Sequence, residues 1–168
     1  MFEKISCEQW DGNAFTAIGD EWLLITTKDG DKVNAMTASW GGLGEMWGKR
    51  AAFIFIRPQR HTFGLVENAE RFTLCVPGEK YRRALSYCGS HSGRDEDKLA
   101  ACGLTSCELD GVPAVAEAHT VFVCRKLYAQ FLREDCFVDK TLPGRFYPGK
   151  DYHCMYVAEV ESVYRKLD

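Results

Sequence analysis

Short runs of β-branched and aromatic residues, joined by turns rather than by long helices, constrain most strongly what this chain can fold into. The six strand-like runs lie at residues 21–28, 32–39, 53–57, 71–76, 120–131 and 156–164. Asp29 and Gly30, between the first two runs, suit the tight turn of a hairpin. Because the strands follow one another without regular crossover helices, the pattern predicts a mainly β protein with an antiparallel sheet or small barrel, not a doubly wound α/β fold.

The remaining segments are predicted to be short helices, turns and loops. Helical character is found at residues 61–69, 81–87 and 95–103, whereas residues 1–20 are expected to be irregular, residues 90–93 a flexible linker, and residues 112–118 irregular or a short edge strand. Gly41, Gly42 and Gly44 are expected to break the second strand, and Pro58 to end the third. No internal repeat or second domain boundary is visible, so residues 1–168 are predicted to form a single domain.

Composition excludes several classes of protein. The chain is 46% hydrophobic and 27% charged, which is typical of a globular domain. Its net charge of -3 and its scattered Lys and Arg residues argue against a nucleic-acid partner. No apolar run approaches the roughly 20 residues that span a bilayer, and the N-terminus lacks the apolar core of a signal peptide. A cytoplasmic protein without a membrane partner is therefore expected.

Eight cysteines raise the question of disulfides or metal ligands. They are Cys7, Cys75, Cys88, Cys102, Cys107, Cys124, Cys136 and Cys154. No Cys-x-x-Cys pair occurs, and no histidine stands at a zinc-site spacing, so no metal site is predicted. Since no export signal is visible, we expect reduced thiols that serve mostly as small buried side chains.

Two clusters of polar side chains suggest a ligand site. The first cluster, at residues 34–40, places small hydroxyl groups beside an indole; the second, at residues 57–62, gathers two guanidinium groups and a hydroxyl around a proline. The apolar run at residues 51–56 is predicted to bring the two clusters together. Aromatic and backbone groups suit a flat polar ring, and arginines suit a phosphate.

Five segments, in this order, resemble a known family. They are Trp22-Leu23-Leu24-Ile25-Thr26, residues 34–44 from Asn34 to Gly44, Phe55-Ile56-Arg57-Pro58-Gln59-Arg60-His61-Thr62, residues 92–98 from Ser92 to Lys98, and residues 151–160 from Asp151 to Val160. Together they resemble the flavin reductase-like, FMN-binding split-barrel proteins, close to the flavoredoxin branch. The resemblance covers nearly the whole chain. It departs at Arg50, where relatives often carry proline, and it is weaker over residues 135–150, a loop that could shape substrate access.

This resemblance implies a six-stranded antiparallel split β-barrel of Greek-key type, a homodimer, and FMN held near the dimer interface. Residues 36–40 would lie along the isoalloxazine ring, and residues 57–62 would meet the phosphate. The implied cofactor-binding residues are Asn34, Met36, Thr37, Ala38, Ser39, Trp40, Arg57, Pro58, Gln59, Arg60, Thr62 and Lys98. His153 is the implied catalytic candidate, near the site of the nicotinamide or of the acceptor.

Each of these residues also has a purely structural interpretation. Hydroxyls often satisfy a strand end, tryptophan often fills a core, and arginines often form surface ion pairs of little energetic value. Lys98 would then lie on a solvated helix face, and His153 would be a hydrogen-bonded strand residue. The three acids at residues 95–97 are interpreted as first-turn helix charges rather than as a catalytic pair.

Three functions follow from the resemblance. The first is an oxidoreductase in which NAD(P)H, a transient donor, reduces bound FMN, which passes electrons to a small-molecule or protein acceptor. No Gly-x-Gly-x-x-Gly fingerprint is present, so the nicotinamide would stack on the flavin instead of binding a Rossmann domain. The second is a flavoredoxin-like carrier reduced by a protein donor, and the third is a non-catalytic flavin-binding protein. One phosphate cluster favours FMN over FAD.

Overall fold

The computed structural model describes residues 1–167, which form ten strands, four short α-helices and single turns of other helix types. The strands are β1 (Phe2–Ile5), β2 (Leu23–Asp29), β3 (Lys32–Ala38), β4 (Gly41–Met46), β5 (Lys49–Ile56), β6 (Arg71–Val76), β7 (Ser106–Leu109), β8 (Val112–Val115), β9 (Thr120–Phe131) and β10 (Cys154–Lys166). The α-helices are α1 (His61–Asn68), α2 (Arg82–Ser90), α3 (Lys98–Ala101) and α4 (Thr141–Phe146). Single turns of 3-10 or π-helix lie at Cys7–Gln9, Thr16–Asp20, Glu79–Tyr81 and Glu134–Cys136.

Eight of the strands form one antiparallel sheet. Seven follow the order β3-β2-β6-β9-β10-β5-β4, and β1 adds to β10 off this path. Strand β10 is long enough to pair with β5 through Cys154 to Glu159 and with β1 through Val163 to Lys166. Strands β7 and β8 form a separate hairpin.

The sheet curls around one apolar core. A single cluster of buried side chains takes Met36 from β3, Phe72 from β6 and Tyr156 from β10, and Leu43 from β4 packs against it. Strands at the two ends of the sheet order therefore contribute to the same interior, as in a barrel. The opposite face of β2 carries Leu24 into a second cluster, which α2, α3 and the β7–β8 hairpin cover.

The mainly β, antiparallel architecture predicted from the sequence is confirmed. Strands β6 and β9 have the predicted bounds, and the β2–β3 hairpin turns at Asp29 and Gly30 as expected. The predicted count of six strands was too low, because the short strands β1, β4, β7 and β8 were not predicted. Strand β1 pairs with the distant β10, β4 with its neighbour β5, and β7 with β8. The predicted single domain extends to Asp168, which lies outside the described residues.

The glycine-rich segment after β3 was predicted to break the second strand, and β3 does end before it, at Ala38, but the segment itself forms strand β4. Gly41 to Met46 pairs residue by residue with β5. A Cβ atom at Gly41 would lie only 2.6 Å from the carbonyl oxygen of Phe53. The glycine therefore permits a close approach between neighbouring strands and does not interrupt their pairing.

Three other local predictions were also wrong. Residues 1–20 are not irregular throughout, since β1 pairs with the far end of β10. The helix predicted at residues 95–103 is limited to α3, because Asp97 caps its first turn by accepting from the Ala100 backbone N–H at 3.0 Å. Ser90, expected in a linker, belongs to α2.

The eight cysteines are all free thiols. Burial raises the pKa of Cys75 and Cys154, and it raises the pKa of Cys88 to about 12. These thiols therefore stay protonated at neutral pH. Within residues 1–167 no group of three or more His, Cys, Asp or Glu side chains is arranged to hold a metal ion, and none of the described helices has the length and apolar character needed to cross a membrane.

Replacing Gly41 by alanine tests the close approach of β4 and β5. The new methyl group would force the strands apart, so we expect Gly41→Ala to lower the free energy of unfolding by about 1–3 kcal/mol. Urea denaturation measures this directly. Gly44→Ala is the matched control in the same strand, because its Cβ would meet only a ring carbon of Phe53 at 4.0 Å. Equal losses in the two variants would contradict the interpretation.

Candidate functional site

A cavity of about 260 Å³ opens where β3 and β5 end, and we call it the first cavity. Five consecutive residues, 36–40, form one wall, and the other lining residues are Phe55, Arg57, Arg60, Gly89 and His153. The indole of Trp40 is 44% exposed, so it lines this opening and does not fill the core. A hydroxyl, an indole and exposed backbone at a strand end are suited to hold a flat polar ring.

A second cavity, of about 170 Å³, adjoins the first and shares Met36 and Arg60 with it. Its other walls come from the start of α1, the end of α2, residues 92–94 and Lys98. The N-terminus of α1 carries a partial positive charge and unpaired backbone N–H groups. The second cavity is therefore electropositive from its backbone as well as from its side chains.

Arg60 is a half-buried cation without an acidic partner in the described chain. Its Nη2 donates to the backbone oxygen of Gly89 at 2.5 Å, and its Nε lies 3.3 Å from the sulfur of Met36. Burial lowers the pKa of Arg60, although a guanidinium stays charged at neutral pH. Its charge is therefore available to an anion at the junction of the two cavities.

Lys98 is a second cation of the same kind. Its side chain is only 5% exposed, and its Nζ donates to the backbone oxygen of Cys88 at 3.1 Å. Burial lowers the pKa of Lys98, and the nearby charge of Arg60 lowers it further, although the neighbouring Cys88 acts in the opposite direction. A buried and a half-buried cation that repel each other are costly unless an anion lies between them.

Arg57 differs from Arg60 although both belong to the same sequence motif. Its guanidinium forms an ion pair with Asp151, donates to the backbone oxygen of Phe146 at 2.9 Å and lies 5.0 Å above the ring of Tyr147. Gln59 donates to the same carboxylate at 2.7 Å. Arg57 therefore holds the segment after α4 against the first cavity. Pro58 is exposed and lines neither cavity.

Asn34 and Thr62 support the second cavity from behind. Asn34 Nδ2 donates to Thr62 Oγ1 at 2.8 Å, and both side chains are buried. Asn34 Oδ1 is the one buried side-chain N or O atom within residues 1–167 that has no hydrogen-bond partner. A Cβ atom at Gly93 would lie 2.2 Å from it. The chain turns tightly over Asn34, and a larger residue at position 93 would displace that turn.

Thr37 connects β3 to α2. Its hydroxyl donates to the backbone oxygen of Leu85 at 2.5 Å, so its proton is not available to a ligand. The oxygen atom still lines the first cavity as an acceptor. Both interpretations of this threonine, as structural group and as site residue, therefore apply.

His153 precedes β10 and lies in the wall of the first cavity. It is 9% exposed, its Nδ1 is 2.8 Å from the hydroxyl of Tyr147, and its ring lies 5.2 Å from Trp40. Burial, followed by the charge of Arg57, lowers the pKa of His153 to about 4. The imidazole is therefore neutral at pH 7.

The structure brings most of the sequence-predicted residues together, but in distinct positions. Residues 36–40, Arg57, Arg60 and His153 line the first cavity, Gln59, Thr62 and Lys98 line the second, and Asn34 lies behind it. The acids at residues 95–97 were predicted to lie in the first turn of a helix, but α3 begins only at Lys98. Glu96 accepts from the Tyr87 hydroxyl at 2.7 Å, and Asp97 caps α3.

Sequence reasoning missed several lining residues. Phe55 alternates with the buried Ile54 and Ile56, so its position on β5 could have indicated it. Gly89 and His91 gave no signal, since they reach the cavities only because α2 packs against β3. The other two histidines have acidic partners, His61 with Asp29 at 2.6 Å and His119 with Glu21 at 2.8 Å.

A family model described as "Flavin reductase like domain" matches residues 17–168. A comparison with curated proteins found no significant match.

Solved structures share the fold at low sequence identity. An FMN-binding domain of a flavin reductases-like enzyme from Shewanella baltica OS155 is 17% identical, with a TM-score of 0.71 over 98% of this chain and 77% of that one. An FMN-binding protein from Thermus thermophilus with bound p-hydroxybenzaldehyde is 23% identical, with a TM-score of 0.67 over 86% of this chain and 71% of that one. The flavoredoxin of Desulfovibrio vulgaris (Miyazaki F) is also 23% identical, with a TM-score of 0.67 over 88% of this chain and 69% of that one.

The low pKa of His153 makes stability depend on pH. Between pH 6.5 and about 4 the unfolded chain binds a proton at this residue that the folded chain does not bind, so stability falls as the pH drops through this window. The free energy of unfolding should therefore fall less between pH 7 and pH 4.5 in His153→Gln than in the wild type, by about 2 kcal/mol. Urea denaturation at pH 7 and pH 4.5 measures the difference. The exposed His91, replaced by Gln, is the control, and a wild-type pH profile in His153→Gln would contradict the assignment.

Proposed function

Because this chain belongs to the flavin reductase-like family, we propose that it is an FMN-binding oxidoreductase that takes electrons from NAD(P)H and passes them to an acceptor. The observation that supports this most is the pair of adjoining cavities with different chemistry. One is walled by aromatic rings and strand-end backbone. The other is lined by three cations without acidic partners in the described chain, Arg60, Arg94 and Lys98.

The second cavity fits a phosphate group. Arg60, Lys98 and the N-terminus of α1 supply positive charge and N–H donors around a space of about 170 Å³. A phosphate there would offset the repulsion between Arg60 and Lys98. Arg57 is not available for this contact, because Asp151 already pairs with it.

The first cavity fits a flat heteroaromatic ring. Trp40 and Phe55 supply apolar walls, and the backbone of residues 36–40 supplies hydrogen-bonding groups at the end of β3. Bound FMN would supply the acceptance of a hydride and the onward transfer of electrons. The residues of the chain bind the cofactor, orient its ring and limit the access of water.

His153 contributes a hydrogen-bonding group to the wall of the first cavity. Since its imidazole is neutral at pH 7, it offers hydrogen bonding in the first cavity without adding positive charge. A neutral imidazole can polarise a bound group without competing for the phosphate.

A flavoredoxin-like electron carrier is the second candidate. Direct reduction by NAD(P)H would require a nicotinamide to reach the flavin ring through the opening of the first cavity. Trp40 also packs edge-on against Phe146 at 5.4 Å, which narrows the opening. In this alternative the bound FMN would be reduced by a protein donor. The third candidate function is that of a non-catalytic flavin-binding protein.

Assembly and location stay predictions from the sequence. The proposed homodimer has a potential contact surface in Trp47 and Tyr128, two exposed rings 6.2 Å apart, and in the exposed Phe131. Such apolar surface is compatible with an interface between two copies. Sedimentation of the FMN-loaded protein tests the dimer, and a loaded monomer would contradict it. A cytoplasmic location stays proposed.

An anaerobic absorption experiment tests the reaction. We expect the purified protein, alone or after addition of FMN, to show the two visible bands of a flavin and to lose them when NADH or NADPH is added. Persistent bands that bleach only with a reduced ferredoxin system would favour the carrier. A protein that takes up no FMN would rule out both.

The phosphate assignment has a test of its own. Arg60→Gln should weaken FMN binding about 10- to 100-fold, because it removes a charge-assisted hydrogen bond. Its affinity for riboflavin, which lacks the phosphate, should change little. Fluorescence titration with both flavins gives the two dissociation constants. Arg57→Gln is the matched control, and its ratio of FMN to riboflavin affinity should equal that of the wild type. A parallel loss of both affinities in Arg60→Gln would show that this arginine does not contact the phosphate.

A further inference from the structure

We propose that Tyr147 is a positioning residue that fixes His153 as the Nε2–H tautomer and so presents a neutral N–H donor to the carbonyl oxygen of a flat, uncharged ligand in the first cavity. The tautomer follows from contacts within this chain. The identity of the ligand as the electron acceptor, bound together with FMN, rests on the proposed function.

The hydrogen bond between Tyr147 and His153 determines which nitrogen of the imidazole carries the proton. The side chain is buried, at 5% exposure, and among the described residues its hydroxyl has one hydrogen-bond partner, His153 Nδ1 at 2.8 Å. If Nδ1 carried the imidazole proton, it would donate to the phenol oxygen, and the phenol proton would have no protein acceptor. A buried hydroxyl without an acceptor is unfavourable. The phenol therefore donates to Nδ1, and the imidazole proton is on Nε2.

The hydroxyl of Tyr147 stays protonated and is held in a fixed position. Burial raises the pKa of Tyr147, so its hydroxyl stays protonated well above neutral pH. Its ring is held from several sides, by Tyr152 at 4.9 Å, by Phe137 at 5.9 Å and by the guanidinium of Arg57 at 5.0 Å. The Tyr147 backbone N–H also donates to Pro143 at the start of α4 at 2.9 Å. The hydroxyl is therefore fixed relative to β10.

The other ring nitrogen of His153 is free to contact a ligand. Within residues 1–167, Nε2 makes no hydrogen bond and is not among the buried polar atoms without partners, so it reaches the accessible surface. His153 lines the first cavity. An N–H donor in that wall can bind a carbonyl oxygen.

The surroundings favour an uncharged, planar ligand. Trp40 and Phe55 have ring centroids 5.2 Å and 6.5 Å from that of His153 and provide flat apolar contacts. The charged groups that act on His153 are Arg57 and Asp151, and these are paired with each other. A charged ligand would gain no free counterion from that pair, and the remaining cation of the first cavity, Arg60, is assigned to the phosphate of FMN. A conjugated carbonyl compound would use both the rings and the N–H donor.

Nitrogen NMR tests the tautomer without any cofactor. In long-range 1H–15N spectra at pH 7, we expect His153 Nδ1 in the range of an unprotonated ring nitrogen and Nε2 in the range of a protonated one. The signals are assigned by their loss in His153→Gln. In Tyr147→Phe, which keeps the ring and removes the donor, the two nitrogens should move toward averaged values. Tyr152→Phe, in the same aromatic cluster but without a bond to His153, should keep the wild-type pattern.

Ligand binding tests the role of the donor. We use 4-hydroxybenzaldehyde as the probe and 4-methylphenol, which has no carbonyl group, as its analogue. On FMN-loaded protein the aldehyde should bind more tightly than the analogue and should shift the His153 Nε2 signal. Tyr147→Phe should reduce this preference about tenfold, in line with the loss of one positioned hydrogen bond. Circular dichroism and the FMN affinity, both expected to match the wild type, show that the variant is folded and loaded.

Two results would overturn the proposal. A protonated Nδ1 in the wild type, or a tautomer unchanged in Tyr147→Phe, would remove the positioning role. A shift of the Nε2 signal caused by FMN alone, with no further shift on adding the aldehyde, would assign the donor to the flavin instead of to an acceptor. Failure to bind FMN refutes the proposed function but leaves the tautomer measurement on the free protein valid, so the two failures are distinguishable.

Discussion

Strand β10 hydrogen-bonds to three other strands, and the position of the candidate site depends on this pairing. It runs antiparallel to β9 along most of its length, to β5 through its first half and to β1 through its second. The pair Cys154–Ile56 places the next residues, His153 and Arg57, side by side where the two strands end. Residues that are far apart in the sequence therefore meet at one edge of the curled sheet, and the first cavity forms there.

Electrostatic environment then decides what each charged residue of the site can do. Arg57 and Arg60 are three positions apart, yet one is paired with a carboxylate and the other contacts only backbone and sulfur. A paired guanidinium holds a segment in place, whereas an unpaired and half-buried one attracts an anion. Arg57 therefore stabilises the fold around the site, whereas Arg60 is placed to bind an anionic ligand.

The sequence could predict those features that depend on local residues, but not those that depend on contacts between distant segments. Strands β6 and β9 were predicted with their observed bounds because they are rich in β-branched and aromatic residues, so their local composition specifies them. Strand β4 was not, since its glycines become a strand only through their pairing with β5. Residues 36–40 were identified because they are contiguous. Tyr147 was missed because its contact with His153 exists only after the chain beyond α4 folds back over the cavity.

The uncompensated pair Arg60 and Lys98 has a consequence for the protein when no cofactor is bound. Two like charges that are wholly or partly buried raise the free energy of the folded state, and mobile anions that enter the second cavity lower it again. The empty fold should therefore become more stable as sulfate or phosphate buffer replaces a zwitterionic one, opposite to the effect of salt on surface ion pairs.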